Sequence, residues 1–218
     1  KYYNQNELGY FILHNSQRVG GRVSYRILKD NKLFRTLSSS FYVGRTFRFD
    51  DGERIRSGMR FANMIQLQNL SGIGFVLRYT DREKDYYETR NNDRFIINPS
   101  ELDVLISYST NNNKKVYSKI EFSNITSFNE QFNEKKIYNR YEFDLNFRFS
   151  DQISAKIGSE VKNTQEDIGY IMDENEEIYF GNRDLESVEN SIKIEYKIDS
   201  KKNIYLNFRN FWSKADYR

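Results

Sequence analysis

The sequence predicts an all-β fold: an antiparallel up-and-down meander of roughly ten strands, part of a transmembrane outer-membrane β-barrel. Three observations predict it. Apolar and polar residues alternate with period two through most of the chain, and helical spacing is scarce. There is one proline in 218 residues, and proline, which lacks an N–H, is kept out of central strands. The connections between strands sort by parity into a short set and a mostly long set, as they do when every second turn lies on the same side of a membrane.

The clearest strand is 137–149, where Tyr141, Phe143, Leu145, Phe147 and Phe149 share one face and Glu142, Asp144, Asn146 and Arg148 the other. Ile192, Ile194, Tyr196 and Ile198 repeat the pattern, as do Leu102, Val104, Ile106 and Tyr108. The full expected set is 18–28, 34–49, 54–68, 73–84, 101–110, 115–128, 137–149, 152–163, 188–198 and 204–213. Asn63 and Ser123 break the alternation in 54–68 and 115–128. The short connections are Lys29–Leu33, Asn69–Gly72, Asn111–Lys114, Ser150–Asp151 and Asp199–Asn203. The other set is Asp50–Glu53, Asp85–Ser100, Asn129–Lys136 and Thr164–Ser187, of which Asp50–Glu53 is short but joins two unusually long strands. A soluble sandwich has no reason to sort loops in this way. The alternation alone fits either setting, since a soluble sheet turns the same charges to water and the same rings to its core.

Composition narrows the chemistry. Apolar residues are 38% of the chain, and 17 Tyr and 17 Phe concentrate its bulk in rings. A net charge of +3 with charged residues at 30% gives no dominant basic field, so no nucleic-acid partner is expected. Without cysteine, thiolate metal sites, thiol catalysis and disulfides are excluded. No apolar run is long enough for a transmembrane helix. The chain opens at Lys1 without a start methionine or signal peptide and reads as an internal fragment of a longer protein, one barrel domain over 1–218.

Several motifs carry a resemblance. Asn6-Glu7-Leu8-Gly9-Tyr10-Phe11 followed by Gly21-Arg22-Val23-Ser24-Tyr25-Arg26 resembles the opening of the C-terminal barrel in a Bacteroidota family of unknown function. Asp85-Tyr86-Tyr87-Glu88-Thr89-Arg90 with Arg94-Phe95 resembles that family's acidic-aromatic segment. Phe180-Gly181-Asn182-Arg183-Asp184, then Glu189-Asn190 and Phe211-Trp212-Ser213, resembles its most recognisable signature. Thr89 stands where the family usually has proline, and Asn91-Asn92-Asp93 replaces a Pro-Gly turn. The resemblance implies an outer-membrane location, lipid as a partner, and an N-terminal module similar to family-nine carbohydrate-binding domains, through which carbohydrate would be a second partner. That module and the strands that would close the barrel are expected outside this chain.

Candidate chemistry is sparse. His14, the sole histidine, lies in an irregular polar segment and is not assigned a catalytic role. Asp173-Glu174-Asn175-Glu176-Glu177 lacks the glycine and spacing of a calcium loop and reads as a solvated loop. Asp85, Glu88, Arg90 and Arg94 bracket one long loop, and Arg183, Asp184 and Glu189 another. These seven are the candidate lumen or loop cluster, either contacting a ligand at the barrel mouth or pinning loops by Arg–carboxylate forks. Tyr86, Tyr87, Tyr170, Tyr179, Phe180 and Trp212 lie near strand ends and fit an interfacial girdle. No catalytic residue, metal or cofactor is assigned. The expected function is a barrel of unknown cargo, an anchor or channel for an envelope or carbohydrate-related module. The alternatives are a soluble all-β carbohydrate-binding domain and, last, a membrane-bound hydrolase.

Overall fold

A computed structural model describes residues 16–28, 31–85, 94–129, 134–174 and 177–217. Every regular element among them is a strand. In chain order they are β1 (Ser16–Ile27), β2 (Phe34–Arg48), β3 (Arg54–Leu67), β4 (Gly72–Thr80), β5 (Glu83–Asp85), β6 (Ile96–Asn98), β7 (Glu101–Ser109), β8 (Val116–Asn129), β9 (Glu134–Arg148), β10 (Ile153–Glu174), β11 (Glu177–Lys197) and β12 (Asn203–Tyr217). Ten of them form one sheet in the order β1-β2-β3-β4-β7-β8-β9-β10-β11-β12, and every neighbouring pair is antiparallel. β5 and β6 form a separate small hairpin between β4 and β7. The meander is therefore as expected. The sheet is not closed: β1 and β12 each have a single neighbour. Among the described residues no helix is long and apolar enough to cross a membrane, which says nothing of strands.

Three boundaries differ from expectation. The expected strand 73–84 ends at Thr80, and residues 83–85 belong to the small hairpin instead. β8 and β9 take up half of the expected loop 129–136, pairing to Asn129 opposite Glu134. The largest correction is Thr164–Ser187, expected to be a loop. β10 and β11 are 22 and 21 residues long and stay paired as far as Glu174 opposite Glu177. Beyond Gln165, where β9 stops pairing, β10 and β11 continue as a paired hairpin, and Lys136 of β9 still reaches Asp167 at 2.7 Å. Two bulges, between Thr164 and Asp167 and between Tyr170 and Met172, interrupt the period-two alternation here. The acidic run thus lies at a hairpin tip, with Asn175 and Glu176 outside the described residues.

The tight turns are fixed by side chains that mimic backbone acceptors. Asn31 Oδ1 accepts from the backbone N–H of Leu33 and of Phe34, at 2.8 and 3.0 Å. Asn69, Asn111, Ser150 and Asp199 accept in the same manner at 68–71, 110–115, 149–152 and 198–202. Strict antiparallel order places these five turns at one end. The strand ends at Arg48 and Arg54, Thr80 and Glu101, Asn129 and Glu134, and Glu174 and Glu177 lie at the other.

The two faces of the sheet differ in polarity and exposure. The crowded face is polar: Thr46, Asp103, Ser123, Ser127, Asp144 and Thr164 are all buried. The open face carries the large apolar side chains, with Val23 73%, Ile106 48%, Phe143 43%, Ile192 44% and Leu206 61% exposed. One open-face row runs in register through Phe75, Ile106, Phe122, Tyr141, Val161, Val188 and Trp212. A hollow of about 750 Å³ lies on the polar side, lined by the in-register row Tyr117, Asn146, Lys156, Lys193 and Asn207. The polar face is accordingly the concave, inner one.

Candidate functional site

Register builds the site. Glu121 of β8 faces Glu142 of β9, Glu142 faces Glu160 of β10, and Glu160 faces Glu189 of β11. Four glutamates therefore stand side by side on four successive strands of the inner face. Like charges directly opposite one another destabilise a sheet. Here cations one pleat away offset the repulsion. Arg140 lies at the centre and donates to Glu121 at 2.8 Å, to Glu142 at 2.5 Å and, through Nε, to Glu160. Lys119 pairs with Glu121 at 3.0 Å, Lys162 with Glu160 at 2.5 Å and Arg209 with Glu189 at 2.6 Å. Asp144, the next inner carboxylate on β9, pairs with Lys156 at 2.8 Å.

The other half of the inner face is different. β1, β2 and β3 carry three arginines each and β4 one, and none of these strands contains Asp, Glu or Lys; Arg45 lies on the open face in register with Val19, while Arg18, Arg22, Arg60 and Arg78 are on the inner face. Arg22, Tyr42, Arg60 and Arg78 form one in-register row. The guanidinium carbons of Arg18 and Arg22 lie 5.3 and 5.9 Å from the centre of the Tyr42 ring. That ring lies flat over Gly20 and Gly44, where a Cβ would collide with it. Arg78 pairs with Asp103 of β7 at 3.0 Å, and Arg56 with Glu83 of β5 at 3.3 Å. Among the described residues, no carboxylate pairs with Arg18, Arg22, Arg26 or Arg60.

The seven sequence-predicted residues separate. Glu88 and Arg90 lie outside the described residues, as do Tyr86, Tyr87 and His14. Asp85 ends β5 and accepts from Asn98 Nδ2 at 3.2 Å, and Arg94 is exposed just before β6. Glu189 belongs to no loop: it is the fourth glutamate of the inner row. Arg183 and Asp184 sit where β10 bulges between Thr164 and Asp167. Glu166 at that bulge has φ 56°, a strained value for a non-glycine residue. Its N–H donates to Asp184 Oδ1 at 3.0 Å, and Asn182 Nδ2 donates to its carboxylate. Arg183 donates from Nε to Asp167 Oδ2 at 3.0 Å and from Nη1 to the Tyr217 hydroxyl at 3.3 Å. It can lie there because position 169 is glycine: a Cβ would come within 2.7 Å of the guanidinium.

At the same end, Arg54 reaches Asp81 at 2.5 Å and fastens β3 to the connection after β4. The Arg82 backbone N–H, at 2.9 Å, and the Arg54 guanidinium hold the Asp81 carboxyl below the usual aspartate range. No group of three or more potential metal ligands occurs among the described residues.

All of the chain, residues 1–218, matches the model of one protein family, a domain of unknown function (DUF5916). The chain belongs to the DUF5916 family. No curated protein and no solved structure matches it. In this DUF5916 chain the Phe180–Asp184 motif has a definite structural task, since Asn182, Arg183 and Asp184 together hold the β10 bulge. The sequence reading missed the glutamate row, because that row exists only through register. It also missed the arginine wall, whose signal was present: four successive strands with arginine and no carboxylate.

Proposed function

We propose that this chain forms part of the wall of an outer-membrane β-barrel, with the apolar face in lipid and the charged face lining the lumen. The barrel then serves as an anchor or channel for an envelope module. The link to a carbohydrate-related module rests on the sequence resemblance. The observation that carries the reading is the inverted burial: buried Asp103 and Asp144 against exposed Ile192, Phe143 and Leu206. A soluble sheet hides its apolar face, because about 25 cal/mol is lost for each Å² of apolar surface left in water. Monomeric soluble proteins seldom expose an apolar patch above a few hundred Å².

The dimensions are consistent. On β11 the open face is apolar at Val188, Ile192, Ile194 and Tyr196, interrupted by Asn190, and it turns charged at Glu186. At about 3.3 Å per residue and a tilt near 40°, Val188 to Tyr196 covers roughly 20 Å of membrane height. The apolar band of such barrels is about 25 Å tall. Trp212, in register with Val188, then lies at the upper margin of that band, where aromatic girdles sit. The inner glutamates favour scaffold over hydrolase, since one guanidinium is shared among Glu121, Glu142 and Glu160.

Spin labels at 143, 145 and 147 of the full-length protein test the reading. In a lipid-facing wall they respond to dissolved oxygen and ignore a water-soluble relaxation agent. If both reagents leave them unaffected, the face is a packed protein core and the soluble carbohydrate-binding alternative replaces the barrel.

A further inference from the structure

We infer that the arginine wall of β1–β4 is a binding surface for a solute carrying two or more oxyanion groups, a proposal that rests on the barrel reading for its setting in the lumen. The argument starts from a contrast within one sheet. Where glutamates stack on β8–β11, the chain interleaves Lys119, Arg140, Lys162 and Arg209, each paired. Where arginines gather on β1–β4, the strands supply no carboxylate at all. Arg60 directly faces Arg78, a cross-strand arrangement that repels. Asp103 of β7 relieves Arg78, but no carboxylate among the described residues pairs with Arg60. Arg48, Arg54, Arg56 and Arg78 have carboxylate partners, whereas the cluster of Arg18, Arg22 and Arg60 around Tyr42 has none among the described residues and gains from an anion of external origin.

Residue type points to the ligand. All ten cations of these strands are arginine and none is lysine. A guanidinium presents a planar fork matched to carboxylate, phosphate or sulfate, where an ammonium is a point charge. Spacing points to more than one anionic group. Arg18, Arg22 and Arg26 recur every fourth residue on β1 and share the inner face, so their Cα atoms stand about 13 Å apart. Arg22 and Arg60 lie in one row two strands apart, roughly 10 Å. Three guanidinium groups without a carboxylate partner among the described residues match a solute with more than one negative charge. Tyr42, held flat over Gly20 and Gly44, forms a floor between the Arg18–Arg22 pair and Arg60.

The test uses the full-length protein in detergent micelles and two probes, tripolyphosphate and citrate, with glucose as a neutral control. Heat-modifiable gel mobility reports barrel folding independently of binding. Titration calorimetry is expected to detect at least one probe and not glucose, with affinity falling as salt is raised. The pair Arg22→Gln with Arg60→Gln should weaken binding at least about tenfold, as losing charge-assisted hydrogen bonds does. Lys193→Gln, which removes one positive charge from the other half of the inner face, should leave it within about twofold. If the double variant does not fold, Arg22→Lys and Arg60→Lys keep the charge but lose the fork, and the same weakening is expected. Preference for one probe assigns phosphate-like or carboxylate chemistry. Folded protein that binds neither probe, or binds equally well in the arginine variants, overturns the inference and leaves the barrel standing. A protein that stays in solution without detergent sinks the barrel instead, and the same titration still decides whether the arginines bind.

Discussion

Ile192 offers the sharpest measurement of where the membrane lies. It sits on the open face of β11, in register with Ile157 on one side and Phe208 on the other. Val188 is four residues above it and Tyr196 four below. At about 3.3 Å per residue and a tilt near 40°, each lies roughly 10 Å from Ile192 along the membrane normal. Ile192 is then close to the midplane, and its two neighbours are close to the margins. Arginine at the midplane of such a barrel costs about 2–4 kcal/mol, and near an interface about 0–1. Ile192→Arg should therefore lower the folding equilibrium about thirtyfold to several hundredfold, while Val188→Arg and Tyr196→Arg change it less than about tenfold. The assay is urea titration of the full-length protein folded into vesicles, with the folded fraction read from heat-modifiable mobility. Repeating it in lipids with longer acyl chains should raise the cost at 188 and 196 toward that at 192. A soluble core gives no dependence on lipid thickness. Equal costs at the three sites, unmoved by lipid, would refute the membrane placement of this face.

The other expectations concern the polar face and the β10–β11 hairpin. Arg140→Met leaves three glutamates in register without their shared cation and should destabilise by about 3 kcal/mol or more in urea titration. Adding Glu142→Gln and Glu160→Gln should recover much of that loss, and no recovery would contradict the hub. Gly169→Ala places a methyl where the Arg183 guanidinium lies, so protease should nick the β10–β11 hairpin faster while the cleavage pattern of the sheet is unchanged. The depressed Asp81 carboxyl contributes stability that is present above its unfolded value and lost as pH falls through its lower folded value. Acid stability curves of the native protein and Arg54→Gln should thus differ at neutral pH and converge at pH low enough to protonate Asp81. Protease added to intact cells should cut only in connections of the 49–53, 81–100, 130–133 and 175–176 set.

The parts of this molecule that could be read from sequence are those where one residue's environment determines its type. Phe143, Leu145 and Phe147 alternate with Glu142, Asp144 and Asn146 because each faces an unlike surface, and period two records that directly. The next stretch loses this record, since bulges between Thr164 and Asp167 and between Tyr170 and Met172 shift the alternation, and only the ladder from Asp167–Arg183 to Glu174–Glu177 reveals strands there. The charged inner face was hidden for a different reason. Glu121, Glu142, Glu160 and Glu189 are separated by 21, 18 and 29 residues, a spacing with no period. Those intervals depend on turn lengths and on the bulge-free pairing of β8 through β11 at that level, neither of which the spacing of glutamates expresses. The arginine wall needed no register, only a count of carboxylates strand by strand. The net charge of +3 concealed it by averaging strands whose only charged residue is arginine against strands that carry both signs. For a sheet whose two faces meet different media, charge summed over the chain is therefore a poor guide to what the inner face attracts, and charge summed by strand and face is the quantity that bears on a ligand.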